Sequence, residues 1–380
     1  MQIVLFHLMP YADLDLEAGR KNGTVWVKLP NKHFDPEKGH KLYNRFLDEL
    51  EYGEKLGFDV IAVNEHHQTA YGLMPSPIVT ASALARRTSK VKIAILGSAL
   101  PLRSHPLTVA EEHAMIDVIS GGRLISGFVR GIGAEYHTFG VNPTFSHDRF
   151  HEAHDLIVRA WTEEGPFSFR SRHYEVKYVN LWPRPYQKPH PPIWIPSQGS
   201  KETIDWASHP DRRYTYLQTF SPAKVVARYL KMYRDTCQGY GYAAKNSQLG
   251  WAVPVYVGVD DESARREAKV HFEAFRNVFV KMPLEMLLPP GYTSRESMKN
   301  VIKAKAQMFG DVSIEQAIEL GLFVCGGPET VLRSFEGHFK EMRFGNLLVL
   351  CQFGTLPADL TRANMERFAR DVMPGIRALG

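Results

Sequence analysis

The chain has 380 residues, 44% of them apolar, and a formal charge of +5. That length suits one large domain or two to three ordinary ones, with apolar residues enough for a sizeable core. Lys and Arg are spread rather than blocked, which excludes a nucleic-acid-binding composition, and three distant cysteines, Cys237, Cys325 and Cys351, argue against a disulfide framework or a cysteine zinc site.

Met1–Phe6 lacks the basic and long apolar regions of a signal peptide. No apolar run approaches roughly 18 residues. The expected setting is therefore a reducing cytoplasm, with neither membrane nor nucleic acid as partner. Ile3–Leu8 reads as a first strand. After a polar, Gly-rich excursion, Leu42, Phe46, Leu50 and Gly53 share one helical face. Asp59–Val63 gives a second strand, Val60–Val63 at its centre. Pro77 suits a first helical turn and opens a helix over Ile78–Arg87. Val91–Leu96 is the third strand. His105-Pro106 opens a helix with Leu107, Ala110, Ala114 and Val118 on one face, available either to its own barrel or to a dimer. Leu124–Val129 is the fourth strand, and Ser146 can cap a helix through Trp161.

Phe167–Pro192 alternates aromatic and polar residues, then runs into prolines, the pattern of a hairpin feeding a stiff segment. Alternation then resumes. Ile193–Ile195 is a strand, with a helix from Glu202. Arg213–Gln218 is a strand before a helix over Ala223–Thr236, and Trp251–Val259 a strand before a helix over Glu262–Phe275. Lys281–Gln307, with Pro289-Pro290-Gly291, is a long loop of the kind that closes over catalytic sites. Asn346–Cys351 and a helix over Thr361–Met373 complete the pattern. These alternating units predict an α/β fold, one (β/α)8 TIM barrel over residues 1–380, with insertions at 167–192 and 281–307 after the fourth and seventh units. An open doubly wound sheet is the alternative, but no GxGxxG follows the first strand.

In such a barrel the loops after the strands form the active site. Asn64-Glu65-His66-His67 ends the second strand and supplies groups that titrate near neutral pH. Gly97-Ser98 follows the third strand, and Arg130-Gly131 the fourth. Ser197-Gln198-Gly199-Ser200 precedes a helix, where small residues, free N–H groups and the helix dipole suit a phosphate. Arg130 could add a bidentate guanidinium. Phe6, His7, Met9, His67, Tyr136, Trp194 and Gln218 lie near strand ends and could line a substrate pocket. The histidines show no HxH or HExxH spacing, so no metal is expected. No GxSxG elbow supports nucleophilic hydrolysis.

Several short motifs then fall in line. They are Glu65-His66-His67 with Tyr71-Gly72-Leu73, His105-Pro106, Gly122-Arg123-Leu124, Arg130-Gly131, Phe139-Gly140-Val141, Ser200 with Thr203 and Trp206-Ala207, and Asp371-Val372-Met373-Pro374. In this order the chain resembles, nearly end to end, the bacterial luciferase-like flavin-dependent monooxygenases, the luciferase α-chain in particular. The resemblance implies a TIM barrel that takes reduced FMN (FMNH2) from a separate NAD(P)H:flavin reductase. With O2 it would oxygenate a small organic substrate, a carbonyl or other moderately apolar compound, through a flavin C4a-(hydro)peroxide. It implies that Arg130 and Ser200, with backbone around Gly199, hold the FMN phosphate, that His66 is the catalytic histidine, and that Gly97-Ser98 carries the family's non-prolyl cis peptide under the flavin ring. It also implies a homo-oligomer, dimer or higher, although a dissimilar subunit stays open. Val129 stands where luciferase has a cysteine, Gly199 where it has an acidic residue, and Asn180–Pro192 has no close counterpart. These departures bear on light emission and an aldehyde substrate more than on the flavin site. A deazaflavin-dependent oxidoreductase acting by hydride transfer and a non-catalytic flavin-binding protein remain as alternatives. The Glu-His-His run leans away from the first, and retention of His66 with a lid away from the second.

Overall fold

The computed structural model describes residues 1–294, 298–299 and 310–379. In chain order its strands are β1 (Gln2–Phe6), β2 (Val60–Val63), β3 (Lys92–Ala99), β4 (Leu124–Val129), β5 (Phe167–Arg170), β6 (Glu175–Val179), β7 (Ile193–Ser197), β8 (Thr215–Thr219), β9 (Leu249–Val257), β10 (Val324–Gly326) and β11 (Asn346–Leu350). β1, β2, β3, β4, β7, β8, β9 and β11 pair in parallel in that order. β11 returns to β1, so the sheet is a closed barrel. β5 and β6 form an antiparallel hairpin outside it, and β10 extends β9.

Every residue of β2, β9 and β11 is buried, because a parallel barrel strand is covered by side chains within and helices without. Those helices are α1 (Pro36–Lys55), α2 (Pro77–Arg87), α3 (Pro106–Ser120), α4 (Gly133–Phe139), α5 (Ser146–Thr162), α6 (Lys201–Ser208), α7 (Ala223–Gly239), α8 (Asp261–Ala274), α9 (Pro328–Met342) and α10 (Ala358–Arg367). Proline opens α1, α2, α3 and α9, where its missing N–H costs nothing. The Asp35 side chain accepts from the Glu37 and Lys38 N–H groups and fixes the start of α1.

Three sequence expectations need correction. The first strand stops at Phe6, since Met9 takes φ 50° and turns the chain, although the His7 N–H still reaches Ala62 O at 3.0 Å. The seventh barrel strand runs from Leu249 to Val257 rather than to Val259. On α3, Ala110 and Ala114 pack on the barrel, whereas Val118 is exposed with Met115 and Ile119, as is Val79 on the adjacent α2. The face expected to act as a unit is split between core and surface.

β3 and β4 approach so closely that a Cβ on Gly127 would lie 2.0 Å from the Ile95 carbonyl oxygen. The partner is backbone and cannot rotate away. Gly127→Ala is expected to lose about 1–3 kcal/mol of stability, as overpacking does. The midpoint of urea unfolding reads this directly, and an unchanged midpoint would show that the two strands can part.

Candidate active site

The C-terminal ends of the barrel strands open into a cavity of about 480 Å³. Phe6, Asn64, Val129, Ser197 and Thr219, at or just past the ends of β1, β2, β4, β7 and β8, mark its floor. Lys281 to Leu284, Leu287, Leu288 and Tyr292 supply another wall. They belong to the expected lid at 281–307, most of whose remainder lies outside the described residues. This wall docks hard on α4: a Cβ on Gly133 would meet Pro289 Cδ at 2.2 Å.

His66 lines the cavity. Its Nδ1 lies 3.0 Å from Glu135 Oε1, and Glu135 is 1% exposed. Glu135 also accepts the His67 N–H at 3.3 Å and the Ile132 N–H at 2.7 Å. A carboxylate oxygen accepts, so this contact assigns the proton to Nδ1 and leaves Nε2 as the acceptor nitrogen. The Trp26 and Tyr71 rings meet the imidazole edge-on at 5.2 and 5.1 Å, and the Trp26 indole donates to Phe279 O. The ring is thus held in one plane. Burial raises the Tyr71 hydroxyl pKa, so it stays a phenol.

Arg130, Gly199, Ser200 and Thr203 line the cavity as well. Arg130 donates to Ser146 Oγ at 3.0 Å and to Tyr292 O at 2.8 Å, and its guanidinium stacks on the Tyr292 ring at 4.4 Å. Ser200 caps α6 by accepting the Thr203 N–H, and donates to Glu202. His147 and His151 of α5 line the same cavity. Burial first, then the charge of Arg130, holds His147 down to about 4. Burial and then Arg212 do the same to His151.

Gly97 reaches the cavity, and the non-prolyl cis peptide is Leu96–Gly97, one bond before the expected Gly97-Ser98. Ser98 turns the other way, its Oγ 3.0 Å from Nε2 of His113 on α3. His113 spans to Ser126 and burial lowers it to about 3, so it is a neutral strut between β3, β4 and α3.

Of the seven residues expected to line a substrate pocket, Phe6 borders this cavity and the other six do not. His7 points to α1, with Nε2 2.9 Å from Glu49 Oε2. Met9 is buried at the turn after β1. His67 pairs with Glu65 at 3.0 Å. Tyr136 is buried and donates to Arg130 O. Trp194 lines a hollow at the opposite barrel mouth, with Gln2, Lys92 and Asn346 from strand starts. Gln218 accepts from Tyr216, which stacks on Tyr233 of α7, so strand alternation sends both outward and Thr219 inward. The residues that sequence reasoning missed are Glu135, Trp26, His147, His151 and Tyr292. Only Glu135 had a local signal, a lone acidic residue in the glycine-rich turn after β4.

The donors at the Arg130 end fit an anionic group. Trp206 lines the cavity there, 8% exposed, and its buried indole N–H has no hydrogen-bond partner among the described residues. The buried Asn64 Oδ1, also on the cavity, is similarly unsatisfied. Apolar walls from Phe6, Leu96, Phe128 and Ile195 lie between the polar positions, the pattern of a pocket for a planar ligand with a charged tail. Among the described residues no group of His, Cys, Asp or Glu could hold a metal ion. None of the described helices is long and apolar enough to cross a membrane.

Residues 25–344 match the family described as luciferase-like monooxygenase. The chain belongs to that family. It is 31% identical over 335 residues to the uncharacterized protein y4wF of Sinorhizobium fredii, covering 86% of this chain and 90% of the other. It is 28% identical over 236 residues to the alkanal monooxygenase beta chain of Vibrio harveyi, covering 62% and 72%. Among solved structures, the oxygenating constituent of 3,6-diketocamphane monooxygenase from Pseudomonas putida, in complex with FMN, superposes with a TM-score of 0.73 at 18% identity over 98% of each chain. The coenzyme F420-dependent tetrahydromethanopterin reductase of Methanopyrus kandleri does so at 0.65 and 19%, over 88% and 96%. At these identities the structural matches establish the shared barrel alone.

Proposed function

We propose that this chain is the oxygenase of a two-component system. It binds reduced FMN delivered by a separate NAD(P)H:flavin reductase and uses dioxygen to oxygenate a small, moderately apolar organic substrate. The observation that carries the reading is one cavity holding both an anion-suited end at Arg130 and Ser200 and a histidine oriented by a buried carboxylate. When bound, the reduced flavin supplies the electrons that activate dioxygen. The protein's part is to bind, orient and exclude water. Arg130, Ser200 and Thr203 receive the phosphate, and the apolar walls keep the centre dry. His66 Nε2 takes up or returns a proton there, while Glu135 keeps Nδ1 protonated. The alkanal and diketocamphane monooxygenases among the relatives support this reading.

The F420-dependent neighbours favour a second reading, hydride transfer from a deazaflavin. Oxygen admitted to the protein mixed anaerobically with reduced FMN separates the two. Reoxidation slower than that of free reduced flavin supports the oxygenase. Reoxidation at the free rate, with a deazaflavin binding more tightly than FMN, overturns it.

Glu135→Gln keeps the size of the side chain and one acceptor but lets its amide donate to Nδ1, which admits the wrong tautomer. Turnover is expected to fall by about 10–10⁴-fold, the upper end being the cost of the equivalent change beside a triad histidine. Flavin Kd should barely move. A large change in Kd would instead mark Glu135 as a general support of the fold.

A further inference from the structure

His147 and His151 have no part in the function proposed above. They sit one turn apart on α5 with ring centroids 6.1 Å apart, and both line the cavity. Neither makes a hydrogen bond to protein among the described residues, although Arg130 and Glu202 are close enough to bear on His147. The ring of His151 lies flat on Trp206, 5.2 Å away and tilted by 7°. Trp206 is the side chain whose buried N–H has no partner among the described residues.

We propose that His147 and His151 are phosphate ligands that take up a proton as the cofactor's phosphate enters, so that FMN, but not a flavin lacking phosphate, is held more tightly as pH falls. The inference rests on the reading that this cavity binds FMN.

The charges around the pair give the sign. His147 faces Arg130 from the end of β4, Glu202 from α6, and Asp148 and His151 on its own helix. His151 faces Arg212 from the loop after α6, Arg130, and Asp155 and His154 on its own helix. Without an anion, burial and the arginines keep both imidazoles neutral. A phosphate dianion places two negative charges beside them and beside Glu202, whose oxygen already accepts from Ser200. Arg130, which bears on both rings and lines the cavity, carries one positive charge and does not balance that alone, and protonating an imidazole converts a neutral hydrogen bond into a charge-assisted one. The bound pKa therefore rises above the free value near 4. Binding takes up protons below the bound pKa, and affinity strengthens as pH falls through it. Each proton taken up is worth about tenfold in affinity per pH unit. Below about pH 6 the phosphate's own second protonation opposes the effect, so the window lies above that.

The test is calorimetric titration of FMN and of riboflavin into the whole protein at pH 8 and pH 6.5, each in two phosphate-free buffers of different ionisation heat. FMN affinity is expected to rise by about three- to thirtyfold between the two pH values, with heats that depend on buffer in the sense of proton uptake. Riboflavin should show neither effect. In the double variant His147→Gln/His151→Gln the FMN slope should flatten, while riboflavin affinity, unchanged, reports an intact pocket. FMN binding with buffer-independent heat, or with the pH slope of riboflavin, overturns the inference and leaves the flavin reading standing. A slope that survives in the double variant overturns it as well. Failure to bind FMN at either pH overturns both.

Discussion

Replacing His66 with alanine is expected to slow turnover by about 10²–10⁴-fold, the usual worth of a positioned acid–base group. Flavin Kd should change by less than about threefold, because the imidazole serves the reacting centre and not the ground-state complex. The structure gives reasons to expect so clean a division. Glu135, the only hydrogen-bond partner of the His66 ring among the described residues, keeps two backbone donors, His67 N–H and Ile132 N–H, when the imidazole is gone. It is not left as an unsatisfied buried carboxylate, so the local fold should survive. Trp26 stays anchored through Phe279 O and stacks on Tyr71 at 4.8 Å without help from His66. Single-turnover kinetics on protein preloaded with reduced FMN measures the chemical step, and equilibrium titration measures the flavin. Equal losses in both would sink the catalytic assignment and make His66 part of the binding wall.

The barrel was legible in the sequence because its signals are local. Short β-branched runs bounded by Pro-led helices report themselves residue by residue, and the prolines that open α2 and α3 sit where the pattern asked for them. β10 was not legible. A strand of three residues offers no periodicity, and it pairs only with the far half of β9. Strand ends were the other weak point. The side chain at Gln218 faces the helices and that at Thr219 the cavity. A one-residue ambiguity about where a strand ends therefore exchanges inside for outside. Trp194 shows the same limit along the strand axis: it belongs to β7, but it serves the barrel mouth opposite the site.

Contacts between distant segments were beyond pattern altogether. His66 and Glu135 are 69 positions apart, and only the fold makes them partners. His147 and His151 read as two polar positions on an amphipathic helix. Their meaning depends on α5 passing the ends of β4 and β7, where Arg130 and Ser200 are. Motif order, by contrast, selected Arg130, Ser200, Gly199, Gly97, Ser98 and His66; all but Ser98, which turns to His113, border one cavity. What motif order could not select was which neighbour orients them.

Arg130→Met should have the largest effect on the cofactor. Truncating one partner of a desolvated charge pair costs about 2–5 kcal/mol, so FMN Kd is expected to rise by roughly 30- to several thousandfold. Arg130 has a second occupation, however. It donates to Tyr292 O and Ser146 Oγ and lies against the Tyr292 ring, while the Tyr292 hydroxyl returns to Gly131 O at 2.6 Å. Loss of the guanidinium therefore loosens a cavity wall as well as removing a charge. Riboflavin separates the two effects, since it needs the wall and not the phosphate contact. A large loss for FMN beside a small loss for riboflavin assigns Arg130 to the phosphate. Parallel losses assign it to the wall. Arg130→Lys refines the outcome, because lysine restores the charge without the planar fork that spans Ser146 and Tyr292. If charge alone matters, lysine recovers most of the FMN affinity. If the fork matters, it recovers little, and the same geometry that closes the wall over the site is what holds the phosphate in it.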